Sequence, residues 1–78
     1  MYRIMKEFIE NFASNFDDTD ISELKPETVF RELDEWNSML ALSTMAMISE
    51  EYDVELSPED MRKARTIEDL YNATMSYL

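Results

Sequence analysis

Apolar residues recur at three- and four-residue spacing from the start of the chain. Ile4, Met5, Phe8, Ile9 and Phe12 fall on one side, with Arg3, Lys6, Glu7 and Glu10 on the other. This pattern predicts an amphipathic helix from about Met1 to Asn15. It breaks at NFDDTDISELKPE, where Asx, Ser and Thr residues and Pro26 predict a loop. Pro26 suits the first turn of a short helical piece, Glu27 to Leu33, with Val29, Phe30 and Leu33 facing inward. Roughly twenty residues between long helices exceeds the two to eight usual in a bundle. The connection is therefore expected to be held down by its own short helix, since Phe30 and Leu33 give it something to bury.

A second long helix is predicted from Ser38 to Glu51, and its pattern differs. From Ser38 to Ser49 there is no charged residue, in a chain that is 32% charged. On a wheel of about 100° per residue, Ala41, Met45, Ile48 and Tyr52 form one stripe with Thr44 beside it, the expected core face. Met39, Leu42, Ala46 and Glu50 lie largely opposite, flanked by Ser43 and Met47. A helix buried all round needs a larger protein than this one. Some of Met39, Leu42, Ala46 and Met47 should then be exposed, and exposed methionine suits a surface that adapts to several partner shapes.

The segment DVELSPED turns the chain. Ser57 reads as an N-cap, Pro58 as the first helical residue and Asp60 as the third, starting a short helix to about Ala64. Thr66 repeats the device, with Asp69 three positions on. A last helix places Ile67, Leu70, Tyr71, Thr74 and Leu78 on one side. The reading is an all-α bundle of three long helices and one or two short ones, with a long first loop. With no glycine in the chain, the helices are expected to be capped by side chains, and no position offers an easy left-handed C-cap.

Composition narrows the chemistry. Seventy-eight residues, 45% of them apolar, make one domain over residues 1–78, near the lower size limit for a self-sufficient core. Without cysteine there is no disulfide or thiolate site, and without histidine the commonest general base and zinc ligand are gone. A self-contained hydrolase is not expected. DDTDISE lacks the glycine and closing glutamate of a calcium loop. The charges inside the first apolar pattern argue against a signal peptide, and no run has membrane-spanning length, so a cytoplasmic monomer without membrane insertion is the default expectation. A net charge of −11 makes nucleic acid a poor partner. Between Glu32 and Met61 stand nine acids and no Lys or Arg, a field that steers basic partners or simply keeps the surface solvated.

Asn37-Ser38 opens the uncharged helix. Serine or asparagine at a helix start is usually a cap. With no histidine or cysteine in the chain, Ser38 has no base to make it a nucleophile. A phosphodiester on such a serine would, however, meet free backbone N–H groups and the positive end of the helix dipole. The hydroxyl is thus a cap or a handle for a group added by another enzyme.

The stretch WNSMLALSTMAMISEEYDVELSPEDMRKARTIEDLYNATMSYL resembles the acyl carrier protein family. The family's Asp-Ser-Leu motif stands here as Asn37-Ser38-Met39. Glu50, Glu51 and Tyr52 match its acidic-aromatic helix end, and VELSPEDMRKARTIEDL matches the stretch through a short third helix into the capped fourth. The resemblance implies a protein that is not an enzyme but bears 4'-phosphopantetheine covalently on Ser38 and carries acyl intermediates as thioesters in fatty acid or specialised lipid or polyketide-type biosynthesis. The arm supplies the thiol, so the lack of cysteine is no obstacle. The implied partners are a phosphopantetheinyl transferase (the carrier protein synthase) and acyl-processing enzymes with basic and apolar docking patches. They would meet Asn37, Met39, Leu42, Ala46, Met47, Glu50 and Glu51. Cargo withdrawn between the helices would be lined by Phe30, Leu33, Met45, Ile48 and Leu70.

Two departures stand out. Asn37 replaces the family's aspartate, keeping its shape but losing the charge a basic synthase would meet. The middle of the second helix, LALSTMAMIS, lacks the family's usual acids, so partners should rely more on apolar contact. Both suggest a specialised carrier. Competing readings are an unmodified carrier-like module that binds a partner through its second helix, and an unrelated acidic bundle acting as an inhibitor or nucleic-acid mimic.

Overall fold

A computed structural model describes residues 2–78, with side chains from residue 4 onward; the expected start of the first helix at Met1 lies outside the described residues. Four α-helices follow in order: α1 (Tyr2–Ala13), α2 (Ser38–Tyr52), α3 (Pro58–Lys63) and α4 (Ile67–Met75). The long α1–α2 connection contains two 3₁₀ turns, Ile21–Glu23 and Phe30–Glu32. Among the described residues the only β pairing is an isolated antiparallel bridge between Val29 and Thr66. The all-α bundle expected from periodicity is the observed architecture.

α1 stops at Ala13, two residues before the predicted end. Ser14 Oγ donates to Asn11 O at 2.6 Å and Asn15 Nδ2 to Phe12 O at 3.3 Å, so polar side chains compete for the last carbonyls. The backbone then tightens to i−3 bonds, Asn15 to Phe12 and Phe16 to Ala13. Phe8 and Phe12 are fully buried, and Met5 and Ile9 are packed against the core. Ile4 departs from its predicted inward face and is 43% exposed, one turn nearer the helix start and beyond what the other helices cover.

The connection is held down as expected, by different means. The helical piece predicted for Glu27 to Leu33 shrinks to the single turn Phe30–Glu32. Pro26 and Glu27 form a turn closed by Thr28 N–H to Lys25 O, and Val29 is extended. Carbonyls here serve the α3–α4 corner: Ile67 N–H donates to Thr28 O at 3.1 Å and Glu68 N–H to Pro26 O at 2.8 Å. Arg31 clamps the same corner, its guanidinium donating to the Met61 and Ala64 carbonyls at the end of α3. Further back, a turn not predicted at Ile21–Glu23 is closed by a capping box between Asp20 and Glu23. Phe16 and Leu24 on either side of it are buried.

The predicted caps of α3 and α4 form. Ser57 and Asp60 exchange bonds at 3.1 Å each way, and Thr66 and Asp69 do the same. α2 ends on a left-handed residue after all: Asp53, at φ 57°, donates its N–H to Ser49 O at 3.0 Å. Aspartate tolerates this region better than most non-glycine residues. Leu78 does not join the core with Ile67, Leu70, Tyr71 and Thr74, being 73% exposed beyond the end of α4. Tyr77 instead donates its hydroxyl to Asp60 Oδ2 at 2.6 Å, tying the chain end to α3.

The core face of α2 is turned about 60° on the wheel from its expected orientation. Thr44, Met47 and Ile48 are the buried residues; Ala41, Met45 and Tyr52 are half-buried. The face is centred on Thr44 because α2 must also close the seam with α1, where Met47 lies beside Asn11, Ser14 and Asn15.

Candidate functional site

The N-terminus of α2 is the most heavily anchored irregular point of the fold. Trp36 packs edge-to-face on Phe30 at 4.8 Å and stacks near Phe12 and Phe16 at 6.3 and 6.4 Å. Such aromatic pairs stabilise by about 0.5–1.5 kcal/mol beyond area burial. Beside it, Glu35 bridges to the first loop. Its carboxylate accepts the backbone N–H groups of Asp17, Asp18 and Thr19 at 2.9, 3.0 and 2.9 Å, and the Thr19 hydroxyl at 2.7 Å. These bonds hold its carboxyl below the usual glutamate range, the Thr19 hydroxyl first, with desolvation opposing.

Two residues later comes the cap. Asn37 has extended backbone and its Oδ1 accepts the Leu40 N–H at 3.0 Å. Asn37 is therefore the N-cap and Ser38 the first helical residue, exposed, its hydroxyl outside the capping bond. The cap takes the Leu40 N–H and leaves those of Ser38 and Met39 pointing out of the helix end. An anionic group on Ser38 would meet these N–H groups and the positive end of a fifteen-residue helix. The residues present fit a phosphodiester-linked arm.

From Ser38 an exposed face runs along α2. Met39 is 72% and Leu42 65% exposed, with Ala46, Glu50 and Glu51 also exposed. Asn37, Met39, Leu42, Ala46 and Glu50 share the surface expected for partners, whereas Glu51, one turn beyond Met47, is exposed toward α1 and lies off that face. Met47 does not share it either: it is only 8% exposed and belongs to the core, so its assignment to the partner face is corrected. The turn of α2 about its axis is the reason.

The residues expected to line cargo all belong to one cluster. Phe30, Ile48 and Leu70 are fully buried, and Leu33 and Met45 are packed against the same core. Met45 also lines a groove with Ala46, Ser49, Glu55 and Leu56, between α2 and the segment that leads to α3. The buried face of α2 holds an anomaly. Thr44 is fully buried and its Oγ1 has no hydrogen-bond partner among the described residues. An unpartnered buried hydroxyl costs about 1–3 kcal/mol.

Reasoning from sequence missed Glu35, Trp36 and Thr44 as contributors to this site. Trp36 carried a signal, as the lone tryptophan directly before Asn37. Glu35 carried none, because its partners are 16–18 residues away.

Comparison with known proteins adds one match. The family model for the phosphopantetheine attachment site matches residues 7–74. Neither the curated proteins nor the solved structures contain a match.

Proposed function

Because this chain belongs to the phosphopantetheine attachment family, whose members are carriers and not catalysts, we propose that Ser38 is the residue that takes the arm. The bound group is covalent 4'-phosphopantetheine, which supplies a terminal thiol for thioester chemistry. The chain's own part is to present the attachment oxygen, stabilise the phosphodiester and shelter what is carried.

The single observation that supports Ser38 is the division of labour at the start of α2. Asn37 does the capping, so the neighbouring hydroxyl stays exposed and uncommitted. Trp36 and Glu35 act as positioning residues that hold this end of the helix against the loop. Co-expression with a broad-specificity phosphopantetheinyl transferase should add one arm per chain, and Ser38→Ala should prevent it. An intact mass that stays unchanged with several transferases would overturn the assignment.

The finer reading concerns pathway and partners. Residues 1–78 act as one carrier unit, delivering acyl intermediates in fatty acid or specialised lipid or polyketide-type synthesis. The uncharged middle of α2 favours the specialised setting. Partner enzymes dock along Asn37, Met39, Leu42, Ala46 and Glu50, through apolar contact near Ser38 and basic groups at the acidic end. Cargo enters beside Met45, toward Ile48, Leu33, Phe30 and Leu70. An unmodified docking module remains distinguishable: a partner of that module would bind equally well after Ser38→Ala.

A further inference from the structure

Two threonines are buried completely, both inside helices, and they behave differently. Thr74 on α4 donates its hydroxyl to the Leu70 carbonyl one turn back, at 2.9 Å. This is the usual refuge of a helical threonine, since it satisfies the hydroxyl without any outside partner. Thr44 on α2 has the same refuge within reach, the Leu40 carbonyl four residues back, and does not take it. Its Oγ1 is left without a partner in the core. A valine has nearly the same shape, lacks the hydroxyl and would fill the position without this cost. An unsatisfied polar group inside a small core calls for a ligand, a water or a functional reason.

Its neighbourhood indicates which. Thr44 is on the same face as Ile48, one turn along α2, while Met45, which lines the groove between α2 and the segment before α3, is turned about 100° from it around the helix. It lies six residues from Ser38, about 9 Å along the helix axis. The residues expected to line cargo are apolar: Phe30, Ile48 and Leu70 are fully buried, with Leu33 and Met45 at the margin. Those side chains fit a hydrocarbon. Thr44 alone provides a donor and an acceptor among them.

We propose that Thr44 is a specificity-determining residue that selects oxygen-bearing acyl cargo, a chain with a hydroxyl or keto group on the part that enters the core. This deepens the carrier reading and rests on it. A hydroxyl on the cargo can accept from Thr44 or donate to it, and a ketone can accept from it; a saturated chain leaves Oγ1 as it is. The oxygenated chain relieves the unpaired hydroxyl and the saturated chain does not, so the preference equals what that one hydrogen bond contributes.

The test places on Ser38 arms that already bear saturated, 3-hydroxy or 3-oxo acyl chains of equal length: a phosphopantetheinyl transferase joins the Ser38 hydroxyl oxygen to the pantetheine-side phosphorus of the coenzyme A thioester, breaking its pyrophosphate bond and releasing adenosine 3',5'-bisphosphate. Melting temperatures are read for the wild-type chain and Thr44→Val, with loading verified by intact mass. The unloaded Thr44→Val chain should melt at least about 4 °C above wild type, since each 1 kcal/mol of the relieved cost is worth about 4–8 °C in a domain of this size. In wild type the oxygenated cargo should raise the melting temperature more than the saturated one, and in Thr44→Val that difference should vanish. Equal rises in wild type, or a preference that survives Thr44→Val, overturn the proposal and leave the carrier reading intact. A chain that never gains the arm overturns both, and the mass separates the two failures. Thr44→Ser, which keeps the hydroxyl and sheds a methyl, should retain the preference, whereas a purely structural role for Thr44 predicts none in any variant.

Discussion

Glu35 and Thr19, sixteen residues apart, are joined twice: Glu35 Oε1 accepts the Thr19 backbone N–H at 2.9 Å and its hydroxyl at 2.7 Å. With the Asp17 and Asp18 N–H groups, the carboxylate closes the first loop onto the residues that lead to Ser38. One side chain thereby orders the polar stretch Asp17–Thr19, which has no apolar residue of its own, against the residues that lead into α2.

The Glu35 carboxyl is held below its ordinary 4.5, so its proton is bound more weakly in the folded chain than in the unfolded one. Its stabilisation is complete above the unfolded value and is lost as pH falls through the lowered one. Asp60, through the Tyr77 hydroxyl, and Asp69, through the Arg65 and Thr66 N–H groups, shift the same way and add to the trend. Glu35→Gln should therefore melt below wild type at pH 7. The gap should shrink as pH falls below the unfolded value and close once pH is below the lowered one, where both chains carry a neutral group. A gap unchanged down to pH 3 would contradict this (thermal unfolding by circular dichroism reads both chains).

Asn37 separates shape from charge. Asn37→Ala removes the cap and should cost about 1 kcal/mol, a fall of about 4–8 °C in melting temperature. Asn37→Asp keeps the acceptor for the Leu40 N–H and adds an anion at the positive helix end, so stability should hold or rise slightly. Its arm should also be attached faster, since the synthase regains the charge it meets in typical carriers. The time course of the mass shift measures that directly.

Met39 and Met47 on α2 should respond in opposite ways. Met39→Glu and Leu42→Glu alter exposed positions, so melting should change by no more than about 0.5 kcal/mol. Acyl transfer by a partner enzyme should weaken about tenfold for each, the equivalent of about 1.4 kcal/mol of lost docking. Met47→Glu buries an unpaired charge in the core and should destabilise by roughly 3–5 kcal/mol before any effect on docking can be read. Equal melting temperatures for Met39→Glu and Met47→Glu would refute the orientation of α2.

Net charge sets a further expectation. The chain carries −11, and among the described residues one ion pair, Arg62 with Glu59, is present. Repulsion among the acids should fall as salt shortens the screening length, to about 10 Å at 0.1 M. Melting temperature should rise with ionic strength, and further with divalent cations at equal ionic strength. A flat salt titration would count against it.

Much of the fold can be read from the chain because it depends on short-range rules. A capping box joins residues three apart, so Ser57 with Asp60 and Thr66 with Asp69 are visible in sequence and form as read. Helical period placed α2 within one residue of its observed end, and a serine at its start was enough to mark the candidate handle. What periodicity leaves open is rotation. A helix uncharged from Ser38 to Ser49 has no charged face there to say which side turns outward, so only packing against α1 put Met47 inside and centred the buried face on Thr44. The long-range hydrogen bonds were equally hidden. Arg31 reaching the Met61 and Ala64 carbonyls, and Glu35 reaching residues 17–19, join groups that become neighbours only after the chain has folded. Local hydrogen bonding and period dictated the helices; the shared demand to bury one small core decided how they face each other, and with that which hydroxyl is offered to solvent and which is left alone inside.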